Sequence, residues 1–267
     1  MNLLRSAYLL IVMMSTAMAQ SAIGLNHFYV TVDSATYAAI DQNAFLKQEF
    51  AAFEKRTTVR ADRSYTGIYF YGTQTHFGSP IPLRRNGPWA RPRWLWAWMQ
   101  PARCRRSRAP TGISSPEAGR TRQIPWFYRL SPVPQLAKGL ESWVMEYTPE
   151  FLAQWRPEGG VGQGVERSEI LKRYKSVLAE TPKNPYLEDV TGLTLALPAD
   201  EMERMMHWME QLKPAVTIRF LPMWRRTARV AERVVPAAKS SGGRLTLRFG
   251  AGSVLTLRPD KTAIWEF

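Results

Sequence analysis

Two histidines, a set of tyrosines and one lone cysteine are where chemistry could sit in this chain. His27, Tyr29 and Thr31 alternate along one stretch, Gly24-Leu-Asn-His-Phe-Tyr-Val-Thr-Val-Asp33. Tyr69 and Tyr71 alternate along another, Tyr65-Thr-Gly-Ile-Tyr-Phe-Tyr-Gly72, with His76 shortly after. An imidazole can ligate a metal or move a proton, and it titrates near neutrality. Placed among phenols on one face of a strand, it would form the polar-aromatic wall of a small-molecule cavity. His27 is therefore the first candidate. His207 lies beside Trp208, off the apolar stripe of its helix, and is expected at the surface. Cys104 has arginine neighbours that could lower its pKa, but no nearby histidine to act as base. As the only cysteine, it excludes an internal disulfide. Gly159-Gly-Val-Gly-Gln-Gly164 fits neither phosphate-loop spacing, because Val165 and Glu166 follow, and reads as a connection.

The elements that must hold these residues follow from periodicity. Leu25–Val32 reads as a strand, rich in β-branched and aromatic residues. Its second face, Phe28, Val30 and Val32, is apolar enough to lie under a helix. Asp33 or Ser34 can cap that helix. Tyr65–Phe77 reads as strand, turn and strand, with Gly72-Thr-Gln at the turn. Thr148 caps a short helix with Pro149 in its first position. A further helix from Ser168 places Ile170, Leu171, Tyr174, Val177 and Leu178 on one face. Val190–Leu197 is a strand, and Asp200 with Glu203 forms a capping box for the next helix. The stripe Met202, Met205, Met206, Met209 and Leu212 has helical spacing and reads as core. Arg244–Phe249 and Ser253–Leu257 form a hairpin laid out like the earlier one.

The expected fold is α+β: two βαβββ-like units forming curved mixed sheets with helices on the outer face. The first unit is residues 24–77 and the second residues 187–267, with 124–186 a helical connection. Residues 1–19 read as a signal peptide, with Arg5, an apolar Ala7–Met14 run and an Ala17-Met-Ala19 cleavage pattern. That predicts an exported, periplasmic or secreted protein, cut near Ala19.

Residues 78–123 change character. They hold seven prolines, four tryptophans and ten arginines without a single lysine. Arg84–Arg122 alone supplies a net +9 of the chain's +14. The stretch has no helical period and no sustained alternation, and is expected to be irregular, interrupting the first unit. Its composition is what a GC-rich gene yields when read in a wrong frame, so two compensating frame shifts are expected to bound it. Taken at face value, its arginines and tryptophans could hold phosphates and stack bases. For an exported chain, an anionic membrane surface suits them better than nucleic acid.

Two units of this kind resemble the vicinal oxygen chelate superfamily, which includes glyoxalase and bleomycin-resistance proteins. More closely, Leu25-Asn-His-Phe-Tyr-Val, Phe50-Ala-Ala-Phe-Glu-Lys-Arg-Thr-Thr-Val-Arg60 and Tyr65–Gly72 are similar to an uncharacterised exported bacterial family, a domain of unknown function. The similarity resumes at Pro125-Trp-Phe-Tyr128, Trp143-Val-Met-Glu-Tyr147 and Leu245–Leu257. The superfamily resemblance implies a cavity inside the curved sheet, a small-molecule ligand and a divalent metal bound from the first and a late strand of each unit. His27 stands at the first-strand position. Gly78 and Ser79 stand where a late-strand acid belongs, Gly192 at the second unit's equivalent of His27, and Glu266 is the only acid near the final strand. The resemblance thus implies a glyoxalase-like binder of a small molecule, held in a cavity lined by His27, Tyr29, Thr31, Tyr69 and Tyr71 as the expected ligand-binding set. A metal-dependent lyase or dioxygenase acting through His27, and a cationic surface binder acting through Arg84–Arg122, are the alternatives.

Overall fold

The structure is a computed structural model. It describes residues 23–59, 64–79, 94–99, 111–117, 120–130, 140–154, 164–197, 199–212, 217–222, 245–250, 253–258 and 263–267. The expected signal segment, Cys104, most of the arginine cluster and residues 159–163 lie outside these.

The α+β fold class holds, and its centre is one curved mixed sheet of eight strands. β1 (Gly24–Val30) leads into α1 (Ser34–Gln42), then a π-helical turn (Leu46–Phe50). β2 (Ala52–Val59), β3 (Ser64–Tyr71) and β4 (His76–Ser79) follow as an antiparallel run. β4 returns to lie parallel to β1, so the spatial order is β2-β3-β4-β1. The sheet continues through β5 (Trp94–Met99), β6 (Thr111–Glu117), β7 (Arg120–Leu130) and β8 (Leu140–Tyr147) in the order β5-β8-β7-β6. β5 pairs antiparallel with β1 and parallel with β8, while β8, β7 and β6 run antiparallel. Both halves therefore have one order and one set of directions. The edge strands β2 and β6 approach one another, so the sheet curls around an interior.

Two expectations change here. The stretch expected to be irregular supplies β5 and β6, and β5 is the strand that joins the halves. Its prolines and arginines hid it, since strand identity in mid-sheet is fixed by pairing on both edges rather than by composition. Secondly, the repeat of the sheet's order falls at residues 94–147. Residues 187–267 instead make a parallel pair, β9 (Gly192–Leu197) and β10 (Thr217–Pro222), and a meander, β11 (Leu245–Phe249), β12 (Ser253–Leu257) and β13 (Ala263–Glu266). Local grammar reads the same in both places; strand pairing distinguishes them.

These C-terminal elements cover the outer face of the sheet. Phe28, Val30, Ile68, Phe70 and Phe77 pack there with Ile40 of α1, Met205 and Met209 of α4 (Ala199–Leu212), and Leu255 and Trp265. Trp265 is fully buried, with Phe50, Phe70, Phe77 and Phe249 around it at 5.3–5.7 Å between ring centroids. The stripe of α4 is core at Met205 and Met209, while Met206 is exposed, as is His207. Asp200, expected before this helix, falls within α4 as its second residue.

Asp33 is the N-cap of α1: its Oδ1 accepts from the amides of Ala35 and Thr36 at 2.9 Å. Thr36 also donates its hydroxyl to Oδ2 at 2.6 Å. The β11–β12 turn docks on this cap. Gly250 there has φ +59, and a Cβ would meet Thr36 Oγ1 at 2.4 Å, so the position demands glycine. Thr148 opens α2 (Pro149–Gln154) by accepting from the Phe151 amide at 3.1 Å.

Not every helix lies outside. α3 (Arg167–Ser176) packs on the inner side, burying Ile170, Leu171, Arg173 and Tyr174 against Tyr69, Tyr71, Phe127, Met145 and Tyr147. Val177, expected on that apolar face, is exposed because α3 ends at Ser176.

Candidate functional site

The interior of the curled sheet is built by alternation. On β2, Ala52, Glu54, Arg56 and Thr58 share one face; on β3, Tyr69 and Tyr71 do; on β8, Trp143, Met145 and Tyr147 do. β1 contributes His27 and Tyr29. A bulge at Asn26 shifts the register between Leu25 and His27, which puts Leu25 on the outer face with Phe28 and His27 inside.

His27 and His76 stand directly opposite on the parallel pair β1–β4, with ring centroids 4.8 Å apart. Tyr29 lies 4.8 Å from His27, and Trp143 meets it edge-on at 5.7 Å. Tyr71 and Tyr174 flank His76 at 5.4 and 5.6 Å. Tyr174 stacks on Tyr71 at 5.4 Å and faces the Tyr147 hydroxyl, oxygen to oxygen, at 3.4 Å. The result is a continuous box of rings, closed on one side by α3.

One ion pair sits inside it. Arg56 reaches Glu54 at 3.2 Å, and its guanidinium lies between the rings of Tyr69 and Tyr174, 4.8 and 5.0 Å from their centroids. Glu54 also accepts the Tyr71 hydroxyl. Burial, with Arg56 adding repulsion, lowers the pKa of His27 to about 3. His76 is driven well below the ordinary histidine range by burial first, then by His27 and Arg56. Burial raises the phenols of Tyr29, Tyr69, Tyr71, Tyr147 and Tyr174. At neutral pH both imidazoles and all five phenols are uncharged.

The tautomer of His27 is fixed locally. Its Nδ1 lies 2.6 Å from Asn26 Oδ1, and a carbonyl oxygen only accepts, so Nδ1 carries the proton and Nε2 a lone pair. His76 Nδ1 is buried and has no hydrogen-bond partner among the described residues.

Of the expected ligand-binding set, His27, Tyr29, Tyr69 and Tyr71 come together; Thr31 is buried one residue beyond β1. The expected ligand Glu266 does not join them. It belongs to β13, whose Trp265 packs on the outer face of the sheet, opposite His27. Gly78, at the place of the expected acid, has no room for any side chain: a Cβ there would lie 1.9 Å from the Ile68 carbonyl oxygen. A zinc-type ion takes three or four protein ligands. Among the described residues, no group of three or more His, Cys, Asp or Glu converges. Among the described residues the donors brought together are two imidazoles, and the carboxylate of Glu54 is held by Arg56 and Tyr71. They do not fit the divalent metal that the superfamily resemblance implied.

Sequence reasoning ranked His76 below His27 and passed over Asn26, Glu54, Arg56, Trp143, Tyr147 and Tyr174 as site residues. His76 was within reach, since a hairpin turning at Gly72-Thr-Gln sets Tyr71 opposite His76. Arg56 and Glu54 carried only the weak signal of alternate polar residues on an edge strand.

A curved α+β sheet enclosing a polar-aromatic interior is the class of structure these facts define. Residues 25–78 and 109–220, more than half of the chain, match the family of unknown function DUF5829, and the chain belongs to it. The interval between the matched parts, 79–108, contains β5. No curated protein and no solved structure matches the chain. Among the described residues, no helix is long and apolar enough to cross a membrane.

Proposed function

We propose that this is an exported, glyoxalase-like protein that binds a small molecule inside the curved sheet, at His27 and His76. The observation that carries it is a fully buried pair of neutral imidazoles, 4.8 Å apart, with one ring nitrogen unpartnered in a box of aromatic side chains. Buried polar atoms are seldom left unpaired, and those that are commonly mark a binding or catalytic site. The order β1-α1-β2-β3-β4, with β1 parallel to β4 and the same order in β5–β8, supports kinship with the glyoxalase superfamily. The leader-like residues 1–19 support export.

A thermal-shift screen of the purified full chain against a broad library of small organic molecules tests the binding. At least one compound is expected to raise the unfolding midpoint, and His76→Phe is expected to abolish that rise. A library without a single stabilising compound would sink the proposal.

A further inference from the structure

Resting on that binding reading, we infer that the ligand is a neutral, planar ring compound carrying an O–H or N–H donor, which it gives to the His27–His76 pair. The geometry supplies each term. Asn26 holds the proton of His27 on Nδ1, so Nε2 carries a lone pair able to accept a hydrogen bond. The ring of His76 is tilted 30° to that of His27 and has its Nδ1 without a partner. The surroundings of the pair are ring faces and edges: Tyr29, Tyr71, Trp143 and Tyr174, all within 4.8–5.7 Å of one imidazole or the other. Flat surfaces of this kind favour a flat occupant through offset or edge-on contact.

Charge on the ligand is disfavoured from both sides. Arg56 is the cation an anionic ligand would seek, yet Glu54 already neutralises it and two tyrosine rings enclose it. Glu54 is the anion a cationic ligand would seek, and it is spent on Arg56 and the Tyr71 hydroxyl. Arg173 of α3 is buried and has an interaction of its own, but its Nε and Nη1 make no hydrogen bond among the described residues, so the benzoate probe below tests it directly. The same interior that depresses the imidazoles and raises the phenols penalises either sign of charge.

The test uses the purified full chain and six probes: phenol and indole, which are neutral donors; anisole and 1-methylindole, their donor-free methyl derivatives; and benzoate and benzylammonium, which are charged. Affinities are read by titration calorimetry, with midpoint shifts as a second measure. Phenol or indole should bind at least tenfold more tightly than its methylated partner and than either charged probe. Replacement of the imidazole by a ring without nitrogens, His76→Phe, should erase the preference for the donor, and His76→Asn should keep part of it. Equal affinity for phenol and anisole would overturn the donor assignment. Binding of benzoate or benzylammonium in preference to the neutral probes would overturn neutrality while leaving the binding reading intact. Silence from all six overturns the inference, and only silence from the broad library as well would remove the binding reading beneath it.

Discussion

Replacing Trp265 by alanine tests whether residues 187–267 cover the central sheet or stand as a separate unit. The indole is fully buried on the outer face, among Phe50, Phe70, Phe77 and Phe249. Truncating a buried Trp to Ala costs about 3–5 kcal/mol, from lost transfer energy and the cavity left behind. Its Nε1–H also donates to Ser253 Oγ at 2.8 Å, and removing the donor from a buried hydroxyl adds about 1 kcal/mol. The total of about 4–6 kcal/mol is a large share of a typical domain's stability of about 5–15 kcal/mol. With a urea m-value of about 3 kcal/mol/M, the upper range for ordinary domains, the midpoint should fall by about 1.3–2 M. Equilibrium unfolding followed by far-ultraviolet circular dichroism and by near-ultraviolet tyrosine signals measures it. Both probes should shift together, because Phe70 and Phe77 lie on strands that carry Tyr69, Tyr71 and His76 inside. A fall below about 0.5 M, or a shift confined to one probe, would refute the packing.

Stability should also depend on pH through the two imidazoles. The folded pKa of His27, about 3, lies below its ordinary 6.5, and that of His76 is lowered too. The unfolded chain therefore binds more protons below about pH 6.5, and stability falls as pH drops towards 3, by about 1.4 kcal/mol per pH unit for each group. Denaturation midpoints of wild type against His27→Gln, measured between pH 7 and 4, should show a shallower slope in the variant; an unchanged slope would remove His27 as a buried neutral base. Gly78→Ala forces a Cβ to within 1.9 Å of the Ile68 carbonyl oxygen, so β4 must move. Overpacking of this kind costs about 1–3 kcal/mol or more, read as a lower thermal midpoint; a neutral effect would show that the strands part freely.

Much of the first half-sheet was legible from residues alone. Alternation placed Phe28 and Val30 opposite His27 and Tyr29, and Gly72-Thr-Gln marked the β3–β4 hairpin. The cap at Asp33 and the helix at Ser168 were readable for the same local reason. Long-range pairing was not. Nothing local in Trp94–Met99 says that it lies between β1 and β8, and nothing local in Val190–Leu197 says that its neighbour among the described residues is β10. At the site, His27 and the tyrosines of β3 announced themselves by type. Its partners are brought in by topology: His76 by a parallel return, Trp143 by the second half-sheet, Tyr174 by a helix 98 residues further along. The expected metal partner Glu266 failed because final-strand position in the chain did not mean final-strand position in this sheet.

The central claim is that His27 and His76 form a buried neutral pair inside the curved sheet. Nitrogen-detected NMR of the imidazoles in the full chain, recorded from pH 8 to 4, tests it most directly. The account predicts two neutral ring systems that do not gain a second proton near pH 6.5, a proton on Nδ1 of His27, and a nuclear Overhauser contact between the two rings. Titration of either ring near pH 6.5, or the absence of that contact, would contradict it.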